Sequence, residues 1–320
     1  MKALKRTLLC TLFVVMLFSA VSVSAAGGAS ELAAHVSDSA GYIKSTLSDT
    51  VEAADGIAVL RLAKAGADIS AEAEKLKTAS EDAEITPAQA AVNFLALKAA
   101  GLEEGSLEFD LEADLSAENP YTLCYLLKEK DEISPALAQK LVEALMAFYN
   151  ADDGKGFDYY GYSVDTNGLF ISALKPYAAD NDNVAKALEA ALSYIEALES
   201  DDGYGFSEEY PDANASSTAA ALSAFSAIGD ADRADKAYKA LLKYESPDEK
   251  GAYTYGGEVS IFSGSDAFRA LLDYQASGLV KAENPETGSE TVKAVGIFAL
   301  SAMLVIAGFA VVRRKETLAR

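Results

Sequence analysis

The chain carries the stretch DDGKGF at Asp152 and nearly the same stretch, DDGYGF, at Asp201, 49 residues later. With Gly154 and Gly203 as register marks, a step of 49 back from Gly154 reaches Gly105, and a second reaches Gly56. A step of 48 forward from Gly203 reaches Gly251. A period this long holds a turn and two helices, so it predicts stacked helical hairpins rather than a sheet.

The text between the turns keeps one order. After the first turn, TNGLFISALKPY places Leu169, Phe170, Ala173 and Leu174 at helical spacing, with Asp165 as a natural N-cap. Then Val184, Leu188, Leu192, Ile195 and Leu198 form an apolar stripe on a helix that is otherwise charged. The next unit repeats this with the uncharged STAAALSAFSAIG, stopped at Gly229, and the charged ADRADKAYKALLKYE. Upstream, Thr86-Pro87-Ala88-Gln89 reads as a capping box, and Asn119-Pro120 and Ser134-Pro135 open two further helices. The expectation is an all-α domain of roughly eleven helices. Uncharged helices alternating with amphipathic ones predict two concentric layers, an α/α toroid spanning 50–276 behind a helical segment at 26–49. An open α-solenoid built from the same hairpins is the alternative.

YSVDTNGLFISALKPY and DDGYGFSEEYPDANASSTAAALSAFSAIG resemble the repeats of the prenyltransferase and squalene cyclase toroid superfamily, closest to its secreted transcobalamin- and intrinsic-factor-like branch. That resemblance implies a toroid and, through this branch alone, a cobalamin-like ligand. The branch often has a second small domain over the corrinoid, and no segment here corresponds to it. The enzymes of the superfamily need groups this chain lacks. The one histidine, His35, lies ahead of the repeats, and Cys124 falls inside a helix, so no zinc site of the prenyltransferase type is expected. The acidic DxDD run of the cyclases is reduced to Tyr162–Asp165, where only Asp165 remains. A Cys-Gly-Glu-Gln thioester motif is absent. No catalytic residue, metal or cofactor is therefore expected.

The ends of the chain speak to location. Residues 1–25 read as a signal peptide: Lys2, Lys5 and Arg6, an uncharged run from Leu8 to Ala20, then Val23-Ser24-Ala25. At the other end Asn284-Pro285-Glu286-Thr287-Gly288 precedes a transmembrane segment at 291–312 and a basic tail at 313–320. The 19 uncharged residues Ala294–Val312 would extend about 28 Å as a helix, enough to cross a bilayer core. This three-part end resembles the sortase sorting signal of Gram-positive surface proteins, with Asn284 where leucine is commonest. The resemblance implies sortase as a partner, covalent attachment to peptidoglycan through Thr287, and a place at the extracellular surface. A short linker, 277–290, carries the motif.

Without residues 1–25 and 288–320 the chain has 19 Lys and Arg against 47 Asp and Glu, a net charge of −28. That excludes binding to a phosphate backbone as its main task. The glycine turns should gather at one end of the domain and form a rim. Its candidate ligand-binding residues are Tyr159, Tyr160, Tyr162, Asp165, Thr166, Tyr204, Tyr210, Tyr253, Tyr255 and Asp266. Tyrosine rings with neighbouring carboxylates suit a sugar, a corrinoid or a cationic group. Three functions remain open: a binding module, a structural or adhesive scaffold, and a lyase- or cyclase-like enzyme using Asp165 with a rim tyrosine. An open, lined centre would favour ligand binding, and a centre filled with side chains would favour the scaffold.

Overall fold

The computed structural model describes residues 28–47 and 51–280. The signal peptide, sorting pentapeptide, membrane segment and basic tail expected from the sequence lie outside the described residues. Among those described, no helix is long and apolar enough to cross a membrane.

The domain is all-α, with eleven α-helices among the described residues. They are α1 (28–47), α2 (Gly56–Lys64), α3 (Ser70–Asp82), α4 (Pro87–Ala99), α5 (Pro120–Lys128) and α6 (Pro135–Met146). There follow α7 (Val164–Leu174), α8 (Asp182–Ala197), α9 (Ala215–Ile228), α10 (Ala231–Leu242) and α11 (Ile261–Ser277). Local chemistry sets most of the starts. Thr86, Asn119, Ser134, Asn181, Asn214, Asp230 and Ser260 each accept a hydrogen bond from a first-turn backbone N–H. Pro87, Pro120 and Pro135 occupy first helical positions, where their missing N–H costs nothing. Gly229 and Gly278 end α9 and α11 in the left-handed conformation.

One start differs from the sequence expectation. The N-cap of α7 is Ser163, whose hydroxyl accepts from the Thr166 N–H at 3.1 Å. Asp165 lies inside the first turn. With the cap supplied two residues earlier, its carboxyl is free to face a neighbouring helix.

The less charged helices touch in succession: α2 with α4, α4 with α5, α5 with α7, α7 with α9, α9 with α11, and α11 with α2. Their N-terminal turns lie together. The Tyr121 hydroxyl of α5 meets Thr166 Oγ1 of α7 at 2.9 Å, and the α7 backbone N–H of Val164 donates to Phe206 in the turn before α9. The charged helices pack beside them, α8 on α7 and α10 on α9. α9 shows the cost of a shared interior position: from Ala215 to Ser226 every residue but Ser216 is buried, so a charge on almost any face would be stranded. Small residues let α7 and α9 approach closely. A methyl at Gly168 would stand 2.4 Å from the Ala220 carbonyl oxygen.

The glycine turns form short hairpins. Glu199–Ser200 (β1) pairs with Gly203–Tyr204 (β2), and Thr254–Tyr255 (β3) with Glu258–Val259 (β4). The bridge Tyr149–Phe157 in the first turn corresponds to Glu199–Tyr204 in the second and Glu245–Tyr253 in the third. The next residue donates each time to the residue before the bridge: Asp158 to Phe148, Gly205 to Leu198, Thr254 to Tyr244. Phe157, Tyr204 and Tyr253 are therefore equivalent, and all three are fully buried.

α1 reaches the far end of the chain. His35 Nδ1 stands 3.0 Å from Glu245 Oε2, Asp38 pairs with Lys250 at 3.0 Å, and the Tyr42 ring covers Gly264 of α11. Its Lys44 turns the other way, to Glu72 of α3 at 3.4 Å.

Candidate functional site

A cleft of about 520 Å³ opens where the turn before α7 meets the turn before α9. Its rings come from Tyr121, Tyr159, Tyr160, Tyr162, Tyr194, Phe206 and Tyr210, so four elements converge on it. Tyr121 and Tyr159 meet edge to face at 5.5 Å between centroids, and Tyr159 and Tyr160 lie 4.6 Å apart. Tyr160 is 95% exposed and has φ 55°, the only positive φ outside glycine among the described residues. Holding a tyrosine there costs about 1 kcal/mol, and the ring so presented gains no burial in return.

The floor is polar. Ser163 Oγ donates to Thr166 Oγ1 at 2.9 Å, and the Tyr121 hydroxyl reaches the same oxygen at 2.9 Å. Burial, more than any neighbour, pushes the Tyr121 hydroxyl up to about 12. On the rim, Lys155 pairs with Glu208 at 2.5 Å and lies over the Tyr162 face, 5.9 Å from the centroid. The hydrogen bond to Glu208 makes Lys155 hold its proton more tightly than usual. The Tyr162 hydroxyl donates to Asp153 at 2.6 Å and is pushed up to about 12, first by desolvation and then by that carboxylate. Glu209 completes the lining.

Of the sequence-predicted residues, Tyr159, Tyr160, Tyr162, Thr166 and Tyr210 come together in this cleft. Tyr204 and Tyr253 do not. They occupy the buried position that Phe157 fills in the first turn, and burial raises both hydroxyls well above the usual tyrosine range. Tyr255 sits exposed on β3, in the third hairpin. Asp165 and Asp266 do not line the cleft. Ser217 donates to Asp165 at 2.7 Å, and burial, reinforced by Asp266, pushes the Asp165 carboxyl up to about 6. Three aromatic residues of the cleft, Tyr121, Tyr194 and Phe206, are not among the candidate ligand-binding residues, and neither are Lys155 and Glu208 on its rim. Tyr121 and Tyr194 lie within helices, Tyr121 just after the Asn119-Pro120 start, where a search of the glycine turns does not reach.

The space between α2, α5 and α11 is filled. Arg269, buried, donates to the Tyr125 hydroxyl at 3.3 Å and pairs with Asp266 at 3.3 Å. Arg61 stacks 4.5 Å from the centroid of the Tyr125 ring and donates to Ser265. Lys128 Nζ bonds both carboxylate oxygens of Asp273 at 2.6 and 2.7 Å. The pocket that remains beside them, about 60 Å³, is far smaller than a site for a drug-sized ligand or a corrinoid.

No protein-family model matches this chain, and no curated protein matches it.

Proposed function

We propose that this chain is a non-catalytic binding module, an α/α toroid that captures a glycan or other small ligand in the tyrosine cleft. The observation that carries the reading is the convergence of seven aromatic rings on one open cleft with a hydroxyl floor and a charged rim. Rings cover the apolar faces of a ligand, and hydroxyls and carboxylates fix its orientation. The succession of helix contacts returning from α11 to α2 supports the toroid. The signal peptide, the NPETG motif and the terminal apolar segment support secretion and attachment to a Gram-positive wall by a sortase through Thr287. The side chains that fill the space between α2, α5 and α11 speak against a cobalamin-sized ligand there and move the binding reading to the tyrosine cleft.

The test is native mass spectrometry of the protein after incubation with a panel of cell-wall glycans and with medium extract. A discrete added mass is expected, lost in Tyr160→Ala/Tyr210→Ala while the helical circular dichroism stays. Tyr204 is the wrong control, because replacing it opens the core. A second reading, a scaffold for protein contacts, is favoured by the same filled space. A bare mass with every small ligand would support it over the binding module.

A further inference from the structure

The cleft already holds a cation of its own. Lys155 is the one basic side chain among the lining residues, paired with Glu208, and Glu209 lines the same cleft. Its ammonium lies over the Tyr162 ring and on the Glu208 carboxylate. Ring face plus carboxylate is the pairing that recognises an ammonium group from outside. The backbone of Lys155 is fixed, since its carbonyl accepts from Asn167 Nδ2 at 3.1 Å, whereas its side chain is a half-exposed tether on a surface ion pair. Such a pair is weak, so an incoming amine displaces it at little cost. Around it stand partly or fully exposed rings, Tyr160 at 95%, Tyr210 at 62% and Phe206 at 41%. They offer flat faces to pyranose rings, and the Glu208 and Glu209 carboxylates on the rim offer acceptors to sugar hydroxyls.

Resting on the cleft reading above, we propose that the ligand is a glycan with free amino groups, a deacetylated amino-sugar chain, and that Lys155 is the placeholder its amine displaces. A peptide ammonium would use the carboxylates but would leave the row of exposed rings without sugar faces to cover.

The experiment is calorimetric titration of the full chain with a glucosamine tetramer, its fully N-acetylated counterpart and tetralysine. The glucosamine tetramer is expected to bind, and the acetylated tetramer to bind about tenfold more weakly or worse, having lost a charge-assisted contact. Lys155→Ala is expected to tighten the glucosamine tetramer roughly two- to fivefold, the scale of one exposed charge interaction. Glu208→Gln should weaken it by a similar factor, with unchanged circular dichroism in both variants. Equal or tighter binding of the acetylated tetramer, abolished by Tyr210→Ala, overturns the amine proposal and keeps the cleft. Tetralysine binding as tightly as the glucosamine tetramer also overturns it, in favour of a cationic-peptide site. No binding by any of the three overturns the amine proposal, and the cleft reading then stands or falls by the wider mass-spectrometric panel.

Discussion

Asp165 shows how one side chain ties local structure to pH. It faces Asp266 and Arg269 and accepts from Ser217, and its pKa stands near 6 because burial and Asp266 both disfavour its charge. The folded state therefore holds this proton more tightly than the unfolded chain. Its contribution is fully present below the unfolded aspartate value, about 4, and is lost as pH rises through about 6. Because part of the residue reaches solvent, the loss is about 1 to 2 kcal/mol. Asp165→Asn, which keeps an acceptor for Ser217, should raise stability at pH 7 by about that amount. It should also flatten denaturant midpoints measured between pH 4 and 6. Gly168→Ala is the opposite case. Its new methyl would stand 2.4 Å from the backbone oxygen of Ala220, which no side-chain rotation relieves. A loss of about 2 kcal/mol or more is expected in urea unfolding, read with the helical signal.

Among elements, the pairing of α5 with α11 rests on Lys128 and Asp273, both half-buried. Burial opposes the Asp273 charge, but Lys128, and then Arg269, more than offset it and hold its pKa below the usual range. Asp273→Ala leaves an uncompensated cation beside Arg269 and should cost about 2 kcal/mol. The double variant Lys128→Met/Asp273→Leu should recover most of that, and a double-mutant cycle by thermal melting checks it. Elements of this kind were legible in the sequence where local chemistry decides: Thr86, Asn119 and Ser134 cap and Gly229 stops as their residue types predict, although the capping box at Thr86 is only half made, the Gln89 amide turning instead to Ala53 and Asn93. The turns were legible only in part. DDGKGF and DDGYGF align Phe157 with Phe206, whereas the hairpins align Phe157 with Tyr204. The first turn places seven residues between its bridge partners Tyr149 and Phe157, and the second places four between Glu199 and Tyr204. The acidic glycine motif therefore marks the loop and not the buried ring behind it. That two-residue offset is why Tyr204 reads as a rim residue and folds as a core one. Tyr194 in the cleft wall was illegible for another reason: it sits in a helix whose stripe already explained its neighbours.

At the scale of the whole molecule, charge and contacts distant in sequence dominate. The chain carries −22 overall, and the compact state gathers that charge against itself. Added sodium chloride should therefore raise the melting temperature up to a few tenths molar, and a melting temperature that falls with salt would show that the ion pairs outweigh the repulsion. The contact between α1 and the last hairpin sets an order of events. His35 meets Glu245, Arg61 of α2 meets Ser265 across 204 residues, and neither partner exists until nearly the whole domain has been made. Contacts this distant in sequence are slow to form. A growing or translocating chain thus cannot seal its interior piece by piece. The side of its first helix that carries Asp38, Ser39 and Tyr42 must wait, uncovered, for Gly251 and Gly264 to arrive. A chain cut short before Glu245 would be left with that side of the helix open, a handle for chaperones and proteases that the finished protein does not offer.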